Sequence, residues 1–447
     1  MTRLLRTGTF SDRVLILFFA QMISTGINVF NSFFFAKLLG PAGKGDYYLL
    51  LLVPTTIMIL IQFGLARALG FYTARGQTRG IVARALLLAA IISSSAFILA
   101  VAALPVLRET ILHGLEPSHI VFGLCAIPLL LTATFATAIV IGRQAVRWYA
   151  AVNIAQAASA TCLLAVLVGV LGLGVIGAVA AFLITSLLAM VGLVLGAIRV
   201  SAAVPEPGSV TYRQLFRYGL PFYPGSITTF FSNRIDVFLL AGLLAAASAP
   251  LGYYSMAVSA AEMVFLVPEA VSTVFFAHVA ASSRGDSDRQ VPVVARVTFS
   301  LTAIIALVVA PFATVLIGFL LPAFGPALPA LYVLLPGVVA LSVAKVVTDY
   351  ISGLGKTGVT SAIYVGAFAV NVAANLVLIP RFGIVGASAA SLISYTASAL
   401  AATIVAAKLA GASPLEFWLP VKSDLGPAVA LLRALRRRMA RKATPEA

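Results

Sequence analysis

The sequence predicts an all-α polytopic membrane protein of about twelve transmembrane helices, in two six-helix lobes related by a parallel pseudo-two-fold repeat. Three observations predict it. Of 447 residues, 61% are hydrophobic and only 10% charged, whereas a soluble domain runs near 45–50% apolar and about 25% charged. Apolar runs of membrane-spanning length recur about twelve times, bounded by charge or by Gly and Pro. A segment near residue 174 recurs near residue 383. This composition excludes an ordinary soluble enzyme, and its hydrophobicity excludes a disordered chain.

The runs lie near 14–38, 46–66, 82–106, 120–141, 148–170, 176–198, 218–241, 253–277, 293–320, 328–350, 359–379 and 384–408. Each matches the roughly 20 residues that cross a bilayer as a helix. Backbone groups in lipid must bond internally, so runs of this length are helices. The first is too long for the h-region of a cleaved signal peptide, and it carries Asn28 and Asn31.

Orientation follows from Lys and Arg in the short loops. Placing the N-terminus with Arg3, Arg6 and Arg13 in the cytoplasm puts Arg67, Arg75, Arg79, Arg84, Arg143, Arg147, Arg199, Arg213, Arg217, Arg284, Arg289, Arg296 and Lys356 on the same side. The opposite side then holds Lys37, Lys44, Arg108 and Arg381. This asymmetry sets an even number of spans with both termini cytoplasmic. The net charge of +16 is therefore a topology signal and not a nucleic-acid one.

The repeat sets the domain organisation. Gly174-Val-Ile-Gly-Ala-Val-Ala-Ala-Phe-Leu-Ile-Thr185 aligns with Gly383-Ile-Val-Gly-Ala-Ser-Ala-Ala-Ser-Leu-Ile-Ser394, with seven of twelve positions identical at an offset of 209. Gly142–Val146 resembles Gly355–Val359, and Gly45-Asp-Tyr-Tyr48 resembles Gly252-Tyr-Tyr254, in the same order. The expected organisation is an N-terminal lobe (1–200), a cytoplasmic linker (201–217) rich in turn residues, a C-terminal lobe (218–410) and a basic cytoplasmic tail (411–447). Six spans per lobe make the repeat parallel, which suits a transporter rocking about a central site. Neither linker nor tail is long enough to bury a core of its own.

Several motifs resemble those of polysaccharide transporters. The turn Leu39-Gly-Pro-Ala-Gly-Lys-Gly-Asp-Tyr47 resembles the family's turn after its first span. Gly64-Leu65-Ala66 is similar to the end of its second span, and Asp236 with Leu251–Ala257 resembles its seventh and eighth. Gly353–Lys356, Asn371, Asn375 and Leu378-Ile-Pro-Arg-Phe-Gly-Ile-Val-Gly-Ala387 resemble its C-terminal signature, the most specific of these matches. The resemblance covers nearly the whole chain and is to the lipid-linked oligosaccharide flippases of the multidrug/oligosaccharidyl-lipid/polysaccharide superfamily. It implies two six-helix lobes around a central cavity and transfer of a polyprenyl-pyrophosphate-linked oligosaccharide, such as a polysaccharide or O-antigen-type repeat unit, from the inner to the outer leaflet of the cell (inner) membrane. Multidrug extruders of the superfamily usually lack the Ile-Pro-x-Phe-Gly run. Lipid II flippases typically carry two more spans than fit after residue 408. A secondary antiporter of organic cations is the alternative function, and a polymerase or ligase acting on the same glycolipid is a weaker one.

Charges within spans cost about 2.5–3.5 kcal/mol each on insertion scales and mark functional positions by default. They are Arg234, Asp236, Glu262, Glu269, Lys345 and Asp349. A guanidinium pairs with a pyrophosphate through forked hydrogen bonds, so Arg234 is the candidate anion contact; the alternative is that it neutralises an acid or snorkels. Arg234 and Asp236 are two apart and would not share a helical face. Glu262 and Glu269 share a face of the eighth span, Glu262 expected the deeper, as coupling or ion-pair groups. Lys345 and Asp349 stand at i and i+4 on the tenth span, as a local pair or a headgroup contact. The amides Asn28, Asn31, Asn233, Asn371 and Asn375 can meet sugar hydroxyls or bridge helices.

Pro54, Pro128, Pro268 and Pro336 lie inside spans and would bend them. Residues 428–442 read as a basic amphipathic helix on the anionic inner leaflet. Cys125 and Cys162 both sit in apolar runs, and the three histidines, His278 among them, are scattered. No metal site, cofactor or nucleophile–base arrangement emerges. The expected partners are the lipid-linked oligosaccharide, membrane lipids and a coupling ion, with a glycan polymerase or ligase beside them and no nucleic acid.

Overall fold

The computed structural model describes residues 10–421 except 111, 113, 204–207, 233, 245–247 and 282–283. Asn233, part of the linker and most of the basic tail therefore lie outside the described residues, as does the side chain of His278. The chain is an all-α polytopic membrane protein. Among the described residues there is no β-strand.

The helices run in chain order as α1 (Phe10–Ile61), α2 (Leu65–Ala74), α3 (Ile81–Ala102), α4 (Leu104–Thr110), α5 (Pro117–Leu124), α6 (Ala126–Gly142), α7 (Val146–Leu164) and α8 (Gly174–Ala202). They continue as α9 (Tyr212–Gly219), α10 (Tyr223–Ser232), α11 (Ile235–Leu243), α12 (Ser248–Ala281), α13 (Arg284–Leu320), α14 (Ala327–Gly353) and α15 (Thr357–Ala410). Nine helices among the described residues are long and apolar enough to cross a membrane.

Two of the nine are double spans. α1 turns at Gly40, with φ 67 and ψ −179. Only glycine adopts that conformation cheaply, and the following Pro41 disfavours helical backbone at the residue before it. α15 turns at Gly383, with φ 55 and ψ −129. Counting each as two, and α9–α11 as one broken span, gives the twelve expected spans among the described residues. Gly174, which the repeat pairs with Gly383, shares its φ of 55.

Two expectations need correction. The linker 201–217, expected to be turn-rich, is not all loop: α9 begins at Tyr212, capped by Thr211 and Gln214 in a reciprocal box. Ser/Thr-x-x-Gln is a legible helix start. The seventh span was expected to be continuous. It is broken between α10 and α11, with Arg234 at φ −137 and ψ −4.

The chain forms two compact units. One comprises the chain up to Ala260 with Thr314–Ala330 and Asn375–Ala387. Its core packs Leu49, Val53, Leu124, Leu240, Leu251 and Tyr254 in one cluster, and Leu69, Phe135, Ile139 and Trp148 in another. The other comprises Ala261–Ala313, Leu331–Ala374 and the chain from Ser388, around Val343, Val347, Tyr350, Ala402 and Phe417. Large apolar side chains stand exposed on the outside: Phe319 is 84% exposed, Val170 79% and Leu307 74%. Such faces would be unfavourable in water.

Candidate functional site

The first unit encloses a cavity of about 380 Å³. Its wall sets polar side chains among apolar faces, Ala157, Ala160 and Leu164 included. α1 contributes Ser24, Asn28, Asn31 and Ser32, and α7 contributes Asn153 and Gln156. Thr185 from α8 and Ser255 and Ser259 from α12 add hydroxyls, and Phe35, Tyr47, Tyr48 and Phe182 add ring faces. The lining contains one cation, Lys44, and no carboxylate.

The charge pattern counts Lys44 among the external-loop cations. The turn at Gly40 instead swings it inward, and it is only 5% exposed. Its Nζ donates to the Ser32 carbonyl at 3.1 Å and the Ser32 hydroxyl at 2.9 Å, and approaches the Met256 sulfur at 3.2 Å. The Phe324 ring lies 5.8 Å below the ammonium. A buried ammonium is costly unless paired, and here hydroxyl, carbonyl, sulfur and ring replace a carboxylate. Ser32 passes the network on to Ser259 at 2.9 Å. The Ser24 hydroxyl is buried with no partner among the described residues.

The two candidate amides of α1 differ in use. Asn31 donates to the Ala157 carbonyl at 3.1 Å and accepts from Thr161 at 2.6 Å, bridging α1 to α7. Asn28, one turn away, is exposed at the cavity. Arg234 donates to the Tyr48 hydroxyl at 2.6 Å. Because Tyr48 lines the cavity, the guanidinium reaches its wall through one phenol.

Asp236 is buried, and accepts from the Tyr254 hydroxyl and from the Val237 amide. The helix break before Ile235 makes the two-residue spacing argument for Arg234 and Asp236 inapplicable, since Arg234 is not helical. Asn375 is fully buried in this unit.

The second unit gathers the remaining candidates. Lys345 pairs with Glu269 at 3.3 Å, across from α14 to α12. Asp349 accepts from Ser272. Lys345 and Asp349 also attract each other at i and i+4, while the direct bonds of each run to a different helix. A lysine preceding its acid at i,i+4 is the weaker orientation, which leaves the direct bonds to the cross-helix partners. Glu262, expected deeper than Glu269, is exposed, as Glu269 is. Asn371 donates to Ser394 at 3.0 Å and is a helix bridge. Among the described residues no group of His, Cys, Asp and Glu could hold a metal.

Comparison with known proteins adds to this geometry. Residues 11–276 match the family model described as polysaccharide biosynthesis protein. Over 392 residues the chain is 26% identical to a Haloferax volcanii protein named as a probable low-salt glycan biosynthesis flippase, Agl15; the match covers 85% of this chain and 79% of that one. Among solved structures, the lipid II flippase MurJ in an inward closed conformation superposes with TM-score 0.71 at 13% identity, over 97% of this chain and 94% of that one. An inward-facing multidrug resistance MATE family transporter superposes with TM-score 0.65 at 14% identity, over 89% and 98%. At these identities the two structures speak for the fold.

Proposed function

The chain belongs to the polysaccharide biosynthesis protein family, and from that membership we propose that it is a flippase for a polyprenyl-pyrophosphate-linked oligosaccharide. It would carry the head group from the inner to the outer leaflet of the cell membrane by alternating access. In this reading the halves 1–200 and 218–410 rock about the site, and both termini are cytoplasmic.

One observation carries the reading. Among the described residues, the cavity lining brings amides and hydroxyls together with ring and aliphatic faces around a single buried ammonium, with no carboxylate. Amides and hydroxyls donate and accept, as sugar hydroxyls require. An ammonium attracts a diphosphate. The polyprenyl chain would stay in lipid. An inside-negative potential favours outward movement of the anion, by about 2.3 kcal/mol per charge per 100 mV. The Haloferax relative, named as a glycan flippase, supports the same substrate class.

The superposition on a multidrug transporter favours a second reading, antiport of organic cations. A cation carrier needs an acid in its site, and this cavity offers a lysine. Transport in proteoliposomes decides between the two. The purified chain should expose a lipid-linked oligosaccharide to an external glycosidase while leaving a fluorescent organic cation untransported. Uptake of the cation without glycolipid transfer would overturn the proposal.

A further inference from the structure

The first unit carries a second concavity, outside the cavity described above. It holds about 500 Å³ between α2, α6, the end of α9 and the segment that follows it. Arg67 and Phe71 fall at i and i+4 on one stripe of α2, and Arg75 caps its C-terminus. Tyr218 and Phe222 face them. The guanidinium of Arg75 lies 4.2 Å from the Phe71 ring, and Phe71 stacks on Tyr218 at 4.1 Å and 18°. Tyr218 meets Phe222 at 5.5 Å, and Arg67 covers Phe222 at 5.4 Å. The result is a continuous ladder with a guanidinium at each end.

The floor of the groove is small and apolar. A side chain on Gly142 would strike the Gly70 carbonyl, so α2 and α6 touch backbone to backbone there. Arg143 follows directly, and its Nε is buried with no hydrogen-bond partner among the described residues. The sequence has no Asp or Glu from Tyr47 to Arg108, from Pro117 to Pro205, or from Gly208 to Ile235. Beside the groove, Ile141, Leu220 and Phe222 are exposed.

We propose that this groove is a binding site for an anionic phospholipid. Arg67 engages the phosphate, Arg143 and Arg75 supply the positive field around it, and the first methylenes of the chains lie on Gly70, Ala138 and Phe222. A guanidinium stacked on a ring is attracted to the ring face and keeps its in-plane donors for a phosphate. The apolar floor and exposed neighbours select an amphiphile over a free phosphate.

Native mass spectrometry of the purified full chain tests this, with phosphatidylglycerol and phosphatidylcholine supplied in equal amounts. The wild type should retain phosphatidylglycerol preferentially. Arg67→Gln and Arg75→Gln should each weaken that retention about fivefold, as loss of one cation near a membrane surface implies. Arg199→Gln, which removes the same charge from the Trp148 ring 5.0 Å away, should leave it unchanged. Phe71→Leu keeps every charge and should weaken retention by breaking the ladder. Equal retention of the two lipids by the wild type would overturn the proposal, as would an Arg199→Gln loss as large as that of Arg67→Gln. Displacement of phosphatidylglycerol by an equimolar long-chain polyprenyl phosphate would reassign the groove to a transported lipid and also overturn it.

Discussion

Gly45 and Gly252, which the sequence repeat pairs, pack against each other by a reciprocal contact. A side chain on Gly45 would strike the Ser248 carbonyl, and one on Gly252 would strike the Pro41 carbonyl. Pro41 and Ser248 are themselves four residues upstream of the two glycines. Residue i of one repeat thus meets residue j of the other, and j meets i, as at a two-fold axis. The contact is backbone on backbone, so neither glycine can be enlarged without separating two helices.

Gly45→Ala and Gly252→Ala should each lower thermal stability by an amount typical of overpacking, about 1–3 kcal/mol. Gly26, where an added Cβ would meet nothing within 4 Å, is the control, and Gly26→Ala should have little effect. Fluorescence-detected size exclusion after heating measures all three. Equal melting of the three variants would show that the contact is not tight.

Lys44→Met removes a buried charge and keeps the length of the side chain. Because no carboxylate is left behind unpaired, stability should hold or rise. Glycolipid transfer in proteoliposomes should fall at least tenfold, about 1.4 kcal/mol. A variant that is stable and fully active would remove the ammonium from substrate handling.

Arg234→Ala and Tyr48→Phe should have non-additive effects on transfer, since one hydrogen bond joins them. Residues in direct contact couple by about 0.5–3 kcal/mol. A double-mutant cycle on initial transfer rates is the measurement. Strict additivity would mean that Arg234 does not act through Tyr48.

Asn28 and Asn31 should separate binding from packing. Asn31→Ala breaks a bridge to Ala157 and Thr161 and should cost stability by about 0.6 kcal/mol, the usual size for such bonds in membranes. Asn28→Ala should leave the melting temperature in place and raise the glycolipid concentration needed for half-maximal transfer. The reverse pattern would exchange their roles.

Lys345→Glu combined with Glu269→Lys should restore the stability lost in either single variant. The pair is partly exposed, with 28% and 53% of the two side chains accessible, so each single loss should be at most about 1 kcal/mol. Melting temperatures of the four proteins check it.

Hydrophobic runs, charge asymmetry and an internal repeat are local properties of the chain, and they determined the all-helical membrane fold and its twelve spans. Lipid leaves the backbone few alternatives, so span length alone carries that information. The polar character of α1 was legible too, in Asn28 and Asn31. Which amide bridges and which faces the cavity was not, because that depends on where α7 packs.

Lys44 shows the limit most plainly. By sequence it sits between two apolar runs beside Gly and Pro, as loop lysines do. Its burial comes from the left-handed backbone at Gly40, which reverses the chain and folds the following turn against Met256 and Phe324, more than two hundred residues away. The break at Arg234 and the cross-helix partner of Lys345 were likewise decided by tertiary packing. Periodicity reports which side of its own helix a residue occupies; which groups stand opposite is set only when distant helices meet.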